Sequence, residues 1–128
     1  MARLEHLNVT VSDPDRTAAM CTEVFGWKTR WKGGAIGNGH SVHVGTDDFY
    51  IAVYEGPKGA EGQTPAQNSY SQLSGLNHIG VVVDDLDATE VKVRAAGYAP
   101  HSHYDYEPGR RFYFRDHDDV EWEIVSYA

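Results

Sequence analysis

The sequence predicts an α+β protein built from two copies of a strand–helix–three-strand module, and three observations lead there. First, Leu4 to Trp27 and Leu76 to Tyr98 echo one another. Aligned without gaps, His6 falls on His78, Val9 on Val81, Val11 on Val83 and Asp13 on Asp85 at an offset of 72, while Gly26 meets Gly97 at 71. One supersecondary unit is therefore present twice. Second, apolar and polar residues alternate at period two ahead of each helix, the mark of a strand with unlike faces. Third, each helix is followed by segments that read as three further strands, giving βαβββ twice.

Composition limits what this duplicated unit can be. At 128 residues the chain makes one domain, 1–128, of two modules sharing a core: module one at about 1–56, a linker at about 57–75 and module two at about 76–128. Modules of about 60 residues are marginal alone, so the halves are expected to need each other. The chain is 41% hydrophobic and 23% charged, as globular proteins are. No apolar run approaches the roughly 20 residues that cross a bilayer. With 11 basic against 19 acidic residues the net charge is −8, which repels phosphate backbones and anionic lipid and argues against nucleic acid and membrane partners. No signal segment is evident and Cys21 is the single cysteine, so a reducing cytoplasm is expected.

In order, residues 4 to 11 form the first strand, with Leu7, Val9 and Val11 facing the helix and His6, Asn8 and Thr10 the other way. Asp13 caps the first helix, Pro14 opens it and Gly26 closes it. A short strand over Trp27 to Trp31 and a glycine-rich flexible turn over Lys32 to Gly39 lead to an antiparallel pair, His40 to Gly45 and Asp48 to Gly56. In the second of these, Tyr50, Ala52 and Tyr54 share the face of His6. Pro57 to Gly75 reads as the linker. Module two repeats the plan: a strand over Leu76 to Val83, a helix from Leu86 to about Ala96, and strands at about Tyr98 to Tyr104, Arg111 to Arg115 and Val120 to Tyr127.

The faces turned away from the helices collect the chemistry: His6, His43, His78, Tyr50, Tyr54, Tyr113, Glu121 and Glu123. Two histidines at equivalent positions and carboxylates on a closing strand suit a three-ligand divalent-metal site with open positions, fitting Fe, Mn, Ni, Co or Zn. Facing a wet cavity, such groups would add little to packing. Arg111 shares the phase of Tyr113, where it would clamp an anionic substrate or pair with the glutamates. His101, His103 and Asp105 recur at period two, which suits either a solvated edge or a second metal-binding row.

The segments LEHLNVTVSD, LNHIGVVVDD, RRFYFRDHDD and VEWEIVSY together resemble the vicinal oxygen chelate superfamily of glyoxalases, bleomycin-resistance proteins and extradiol dioxygenases. The resemblance covers nearly the whole chain. It implies paired βαβββ modules forming a curved, incompletely closed mixed β-sheet barrel, with metal ligands on the first, fifth and eighth strands. Those positions are His6, His78 and Glu123. A fourth glutamate used by glyoxalase I members falls on Ala52, and Glu55 would replace it only through a bulge that reversed the strand's phase. Tyr113 stands ten residues before Glu123, as a tyrosine does in extradiol enzymes.

Two functions follow. One is a divalent-metal-dependent enzyme, a lyase, isomerase or extradiol-type oxygenase, whose small substrate chelates the metal through vicinal oxygens; Glu121 and Tyr113 are the catalytic candidates, and Tyr50, Tyr54, His43 and Arg111 the substrate-binding ones. The other is a metal-free protein of the bleomycin-resistance type that sequesters a cationic or aromatic antibiotic in a tyrosine-lined cavity. Exposed sheet edges and the long linker point to a homodimer.

Overall fold

The computed structural model describes residues 1–66 and 69–128; the part of the expected linker at 67 and 68 lies outside the described residues. The elements are β1 (His6–Thr10), α1 (Pro14–Phe25), β2 (Lys28–Ala35), β3 (Gly39–Gly45), β4 (Tyr50–Glu55), β5 (Ile79–Val82), α2 (Leu86–Ala95), β6 (His101–Tyr106), β7 (Gly109–Arg115) and β8 (Glu121–Ser126). Two compact units result, Met1–Thr64 and Pro65–Ala128. Each holds one open four-stranded sheet, in the orders β1-β4-β3-β2 and β5-β8-β7-β6. In both, the module's first strand runs parallel to its last and the remaining neighbours are antiparallel. The α+β plan of two βαβββ modules is thus present.

In unit one the caps act as the sequence implies. The Asp13 side chain accepts a hydrogen bond from the Arg16 N–H at 3.2 Å, and Gly26 ends α1 at φ 73°, its N–H bonded to the Thr22 carbonyl. Glycine, which has no Cβ, adopts that left-handed turn at no steric cost. Ala18, Cys21 and Val24 on α1 are buried, as are Val42, Val44, Ile51 and Val53 on the sheet. Each of these valines and Ile51 contributes roughly 1.5–3 kcal/mol by leaving water. Cys21, fully buried, is a packing residue.

The glycine-rich stretch departs from expectation. β2 continues to Ala35 and only Ile36–Asn38 turns, because Gly33, Gly34 and Ala35 pair with Ser41, His40 and Gly39. The Trp31 ring covers Gly33, where an added Cβ would lie 2.8 Å from it. An aromatic neighbour of this kind supplies the packing that a strand glycine lacks. The register of β4 is unbroken on both sides, so Glu55 keeps the phase of Ile51 and Val53 and no bulge brings it to the face of His6.

In unit two, Asp85 caps α2 by accepting from the Ala88 N–H at 2.9 Å. Leu86, Thr89 and Val93 form the buried side of that helix, and Phe112, Phe114, Trp122 and Ile124 are the buried row of the sheet. The loop before β8 is pinned by one buried carboxylate. Asp116 accepts from the N–H groups of Asp118 at 2.9 Å and Val120 at 3.1 Å, and from the indole N–H of Trp122 at 3.0 Å. Asp119 takes the left-handed conformation, φ 60°, that the turn requires.

β6 departs from the sequence reading twice. It starts at His101 instead of Tyr98, whose hydroxyl lies 2.8 Å from His117 Nδ1. Its register then slips between His101 and Tyr104, with Ser102 at φ 55°. A bulge changes the phase of a strand. His101 therefore stacks on Tyr113 at 6.2 Å between ring centroids, whereas His103 bonds Glu90 of α2 at 2.7 Å. The period-two row of histidines does not form a second metal site.

Candidate functional site

In unit two the parallel pairing of β5 with β8 sets His78, just ahead of β5, beside Glu123. The imidazole Nε2 lies 3.1 Å from Glu123 Oε2. That oxygen also accepts from the Tyr113 hydroxyl at 2.7 Å, and the other carboxylate oxygen accepts from Arg111 Nη1 at 3.1 Å. Tyr113 and Glu123 face each other because they are cross-strand partners in the β7–β8 register. Arg111 is further fixed by the Gly109 carbonyl and lies over the Tyr106 ring at 4.9 Å. The ion pair, one of the two roles expected of Arg111, is formed.

These groups do not stand loose in a wet cavity. Arg111 and Glu123 side chains are 11% and 13% exposed. Burial, followed by the hydrogen bond to the Glu123 carboxylate, pushes the Tyr113 phenol well above the ordinary tyrosine value. It is a hydrogen-bond donor at neutral pH, not a ready base.

Behind His78 stands a residue that no periodicity singled out. Tyr70, in the short 3-10 turn Ser69–Ser71, places its hydroxyl 3.0 Å from His78 Nδ1 and 2.8 Å from Glu121 Oε2. The Arg115 guanidinium approaches the same Glu121 oxygen at 3.9 Å.

Unit one arranges His6 in a comparable way. Its Nδ1 bonds Glu5 Oε1 at 2.8 Å, and the Tyr50 hydroxyl donates to the same oxygen at 3.3 Å. The hydrogen bond to His6 holds the Glu5 carboxyl below its usual range. His6 and Tyr50 are register partners of β1 and β4, and their rings stack at 4.7 Å. Tyr50 stacks in turn on His43 at 4.4 Å, and Trp31 packs against His43 at 4.9 Å. A ladder of rings thus crosses all four strands, with Arg30 4.8 Å from the Tyr50 ring. Burial and the nearby His6 and Arg30 charges push the His43 imidazole down, favouring its neutral form. Ala52, 3% exposed, sits between Asn8 and His43 in register and shares the face of His6. Tyr54 is turned to the hairpin, donating to the Ile36 carbonyl at 2.7 Å.

Sequence reasoning missed Tyr70, Glu5, Arg30 and Trp31. Glu5 was legible as the neighbour of His6; Tyr70 lay in a polar linker with no signal around it. Among the described residues no group of three or more His, Cys, Asp or Glu side chains stands ready to hold a metal. The donor chemistry nevertheless fits one. His78 Nε2 and Glu123 Oε2, 3.1 Å apart, are an imidazole nitrogen and a carboxylate oxygen, donors of the kind that divalent metals take.

Fold and side chains together define a paired-βαβββ protein of the vicinal-oxygen-chelate type. The chain belongs to the Glyoxalase/Bleomycin resistance protein/Dioxygenase superfamily, whose sequence profile matches residues 3–124. Among solved structures it is similar to a glyoxylase/bleomycin resistance protein/dioxygenase domain from Frankia sp. EAN1pec, with 24% identity, 98% of each chain covered and a TM-score of 0.80. It also resembles the fosfomycin resistance protein FosX from Listeria monocytogenes, complexed with Mn(II) and sulfate, at 19% identity over 98% of this chain and 93% of that one, TM-score 0.74. A third is TnmS3, an antibiotic binding protein from Streptomyces sp. CB03234, at 16% identity over 100% and 98% of the two chains, TM-score 0.73. No curated protein matches the chain significantly in sequence. No helix among the described residues is long and apolar enough to cross a membrane.

Proposed function

We propose that the protein is a divalent-metal-dependent enzyme acting on a small molecule, with His6, His78 and Glu123 as metal ligands in a single 1–128 domain. One observation carries this reading: both repeat-related histidines are anchored through Nδ1, His6 by Glu5 at 2.8 Å and His78 by Tyr70 at 3.0 Å, which directs Nε2 of each outward as a donor. Metal-binding histidines are oriented in this way, by a hydrogen bond at the second ring nitrogen. A bound Fe, Mn, Ni, Co or Zn ion would act as a Lewis acid towards vicinal oxygens of a substrate. FosX, a structural relative, carries Mn(II).

The chain's own groups then have distinct roles. Tyr113, whose phenol holds its proton, donates to Glu123 and orients it. Arg111 neutralises the other Glu123 oxygen. Glu121 is the carboxylate proposed to handle the substrate's proton, in a lyase or isomerase reaction or an extradiol-type oxygenation. His43, Tyr50 and Tyr54 are the proposed substrate contacts, and His43 favours its neutral form there. Cys21, the single cysteine of the chain, is buried, which suits a reducing compartment such as the cytoplasm. We also propose a homodimer, which light scattering of dilute protein would overturn by returning a monomer mass.

A second reading is favoured by the ring ladder from Trp31 to His6: a metal-free protein that sequesters an aromatic antibiotic. Its structural relative TnmS3 is an antibiotic binding protein. Metal analysis of protein purified without chelators or a metal-affinity tag decides between them. Stoichiometric metal, lost in His6→Ala and His78→Ala, supports the enzyme; absence of any divalent metal at micromolar concentration transfers the assignment to sequestration.

A further inference from the structure

We propose that Arg30 and Trp31 form a recognition site for an aromatic carboxylate, and that the small molecule this protein takes is of that class. The argument begins with a bulge in unit one. In the β2–β3 register Thr29 partners Val44 and Trp31 partners His43, so Arg30 is an extra residue with nothing opposite it. Neighbours in a regular strand point to opposite faces. Here Arg30 and Trp31 both turn to the face of His43: the indole packs on the His43 ring at 4.9 Å, and the guanidinium lies 4.8 Å from the Tyr50 ring. A bulge re-aims a side chain in this way.

The guanidinium brought to that face is held in place but not neutralised. Its Nη1 donates to the Thr46 carbonyl at 3.0 Å, and among the described residues it forms no ion pair. Two carboxylates stand near enough to sense its charge, and both are bonded elsewhere, Glu5 to His6 and Tyr50, Asp47 to Lys28. Unit two shows the contrast. There Arg111 meets Glu123, whose register partner on β5 is Gly80. Asn8 is the repeat equivalent of Gly80 at offset 72, and its partner on β4 is Ala52. Unit one therefore carries an arginine on this face and a methyl group where unit two has the neutralising carboxylate.

The remaining N–H donors of Arg30 form a planar fork that suits a carboxylate. Beside it Trp31, 48% exposed, leaves indole surface on which an aromatic ring can pack. A carboxylate joined to such a ring satisfies both residues, whereas an ammonium group is repelled. That this ligand is the substrate rests on the enzyme reading above, but its recognition involves no metal and can be tested without one.

The measurement is an NMR titration of metal-free protein in mildly alkaline solution, where imidazole is neutral and supplies no positive charge. It follows the Trp31 indole N–H, assigned with Trp31→Phe. The probes are benzoate, its neutral analogue benzamide, benzylammonium, acetate and inorganic phosphate. Benzoate should bind tightest. Arg30→Gln should weaken it about 10-fold, the low end for hydrogen bonds to a charged group because Arg30 is exposed, and should leave benzamide unchanged. Arg30→Lys keeps the charge without the fork and should fall between; Trp31→Leu should weaken benzoate but not acetate. No benzoate binding, benzamide or benzylammonium binding as tightly as benzoate, or benzoate binding unaltered in Arg30→Gln overturns the site. Acetate or phosphate binding as tightly as benzoate overturns the aromatic class. Arg30-dependent benzoate binding in a protein that retains no divalent metal supports the site and refutes the enzyme reading; a metal-binding protein indifferent to benzoate refutes the site alone.

Discussion

Glu123→Ala is expected to unfold the protein more easily as well as to abolish metal binding, and the size of the first effect follows from the geometry. The carboxylate holds two hydrogen bonds, from Arg111 Nη1 at 3.1 Å and the Tyr113 hydroxyl at 2.7 Å. Hydrogen bonds to a charged group contribute roughly 1.5–3 kcal/mol each. Removing one member of a buried pair costs roughly 3–5 kcal/mol, because the other charge is left without compensation. With Arg111 11% exposed, some water reaches it, so the lower end applies. The expected loss is about 3 kcal/mol, or about 10 °C in Tm for a domain of this size. Glu123→Gln keeps one acceptor and should lose about half as much. The triple variant Arg111→Met, Tyr113→Phe, Glu123→Leu removes the carboxylate together with both hydrogen-bond donors, leaving only the part-exposed His78 imidazole, and should recover most of the stability, although not the metal. Urea unfolding followed by tryptophan fluorescence reads these differences directly. A Glu123→Ala protein within about 0.5 kcal/mol of wild type, the usual range for unremarkable surface changes, would refute the reasoning.

Further outcomes are expected elsewhere in the chain. Ala52→Glu puts a carboxylate at a position only 3% exposed beside His43, so it should cost about 1–3 kcal/mol without metal. If His6 is a ligand, Mn(II) should then raise the Tm of this variant by more than it raises that of wild type; equal increments would count against the metal site. Asp116→Ala strands the buried Trp122 indole and two backbone N–H groups, and should lose about 3 kcal/mol in urea unfolding, with Asp116→Asn losing less than half of that. For Glu90, burial pushes the carboxyl up, but hydrogen bonds from Arg94 and His103 outweigh it and leave the carboxyl below its ordinary value of 4.5. A carboxyl lowered in the folded state adds stability above its unfolded pKa and loses it as pH falls through the folded one. Glu90→Gln should therefore flatten the acid limb of the stability–pH curve below about 4.5, by under about 1 kcal/mol given its partial exposure; an unchanged limb would show that the cluster contributes nothing.

The sequence by itself determined the two modules, because everything that specifies them is local. Asp13 and Asp85 cap helices through N–H groups three residues on, Gly26 supplies a left-handed turn, and period-two alternation fixes which side of a strand meets a helix. The same alternation, doubled by the repeat, gathered His6, His43, His78, Tyr50, Tyr54, Tyr113, Glu121 and Glu123 as candidates, and the family resemblance then pointed to His6, His78 and Glu123 among them. What only the tertiary structure decided are the phases and partners set across long stretches of chain. Pairing with β3 turned a glycine-rich stretch into strand. A bulge at Ser102 sent His101 and His103 in opposite directions. Arg111 found Glu123 across 12 residues, and Tyr70 found Glu121 across 51. Tyr70 was illegible for a physical reason: an irregular segment has no period from which a side chain's direction can be read, and its place is fixed by the groups it meets once β5 and β8 have paired.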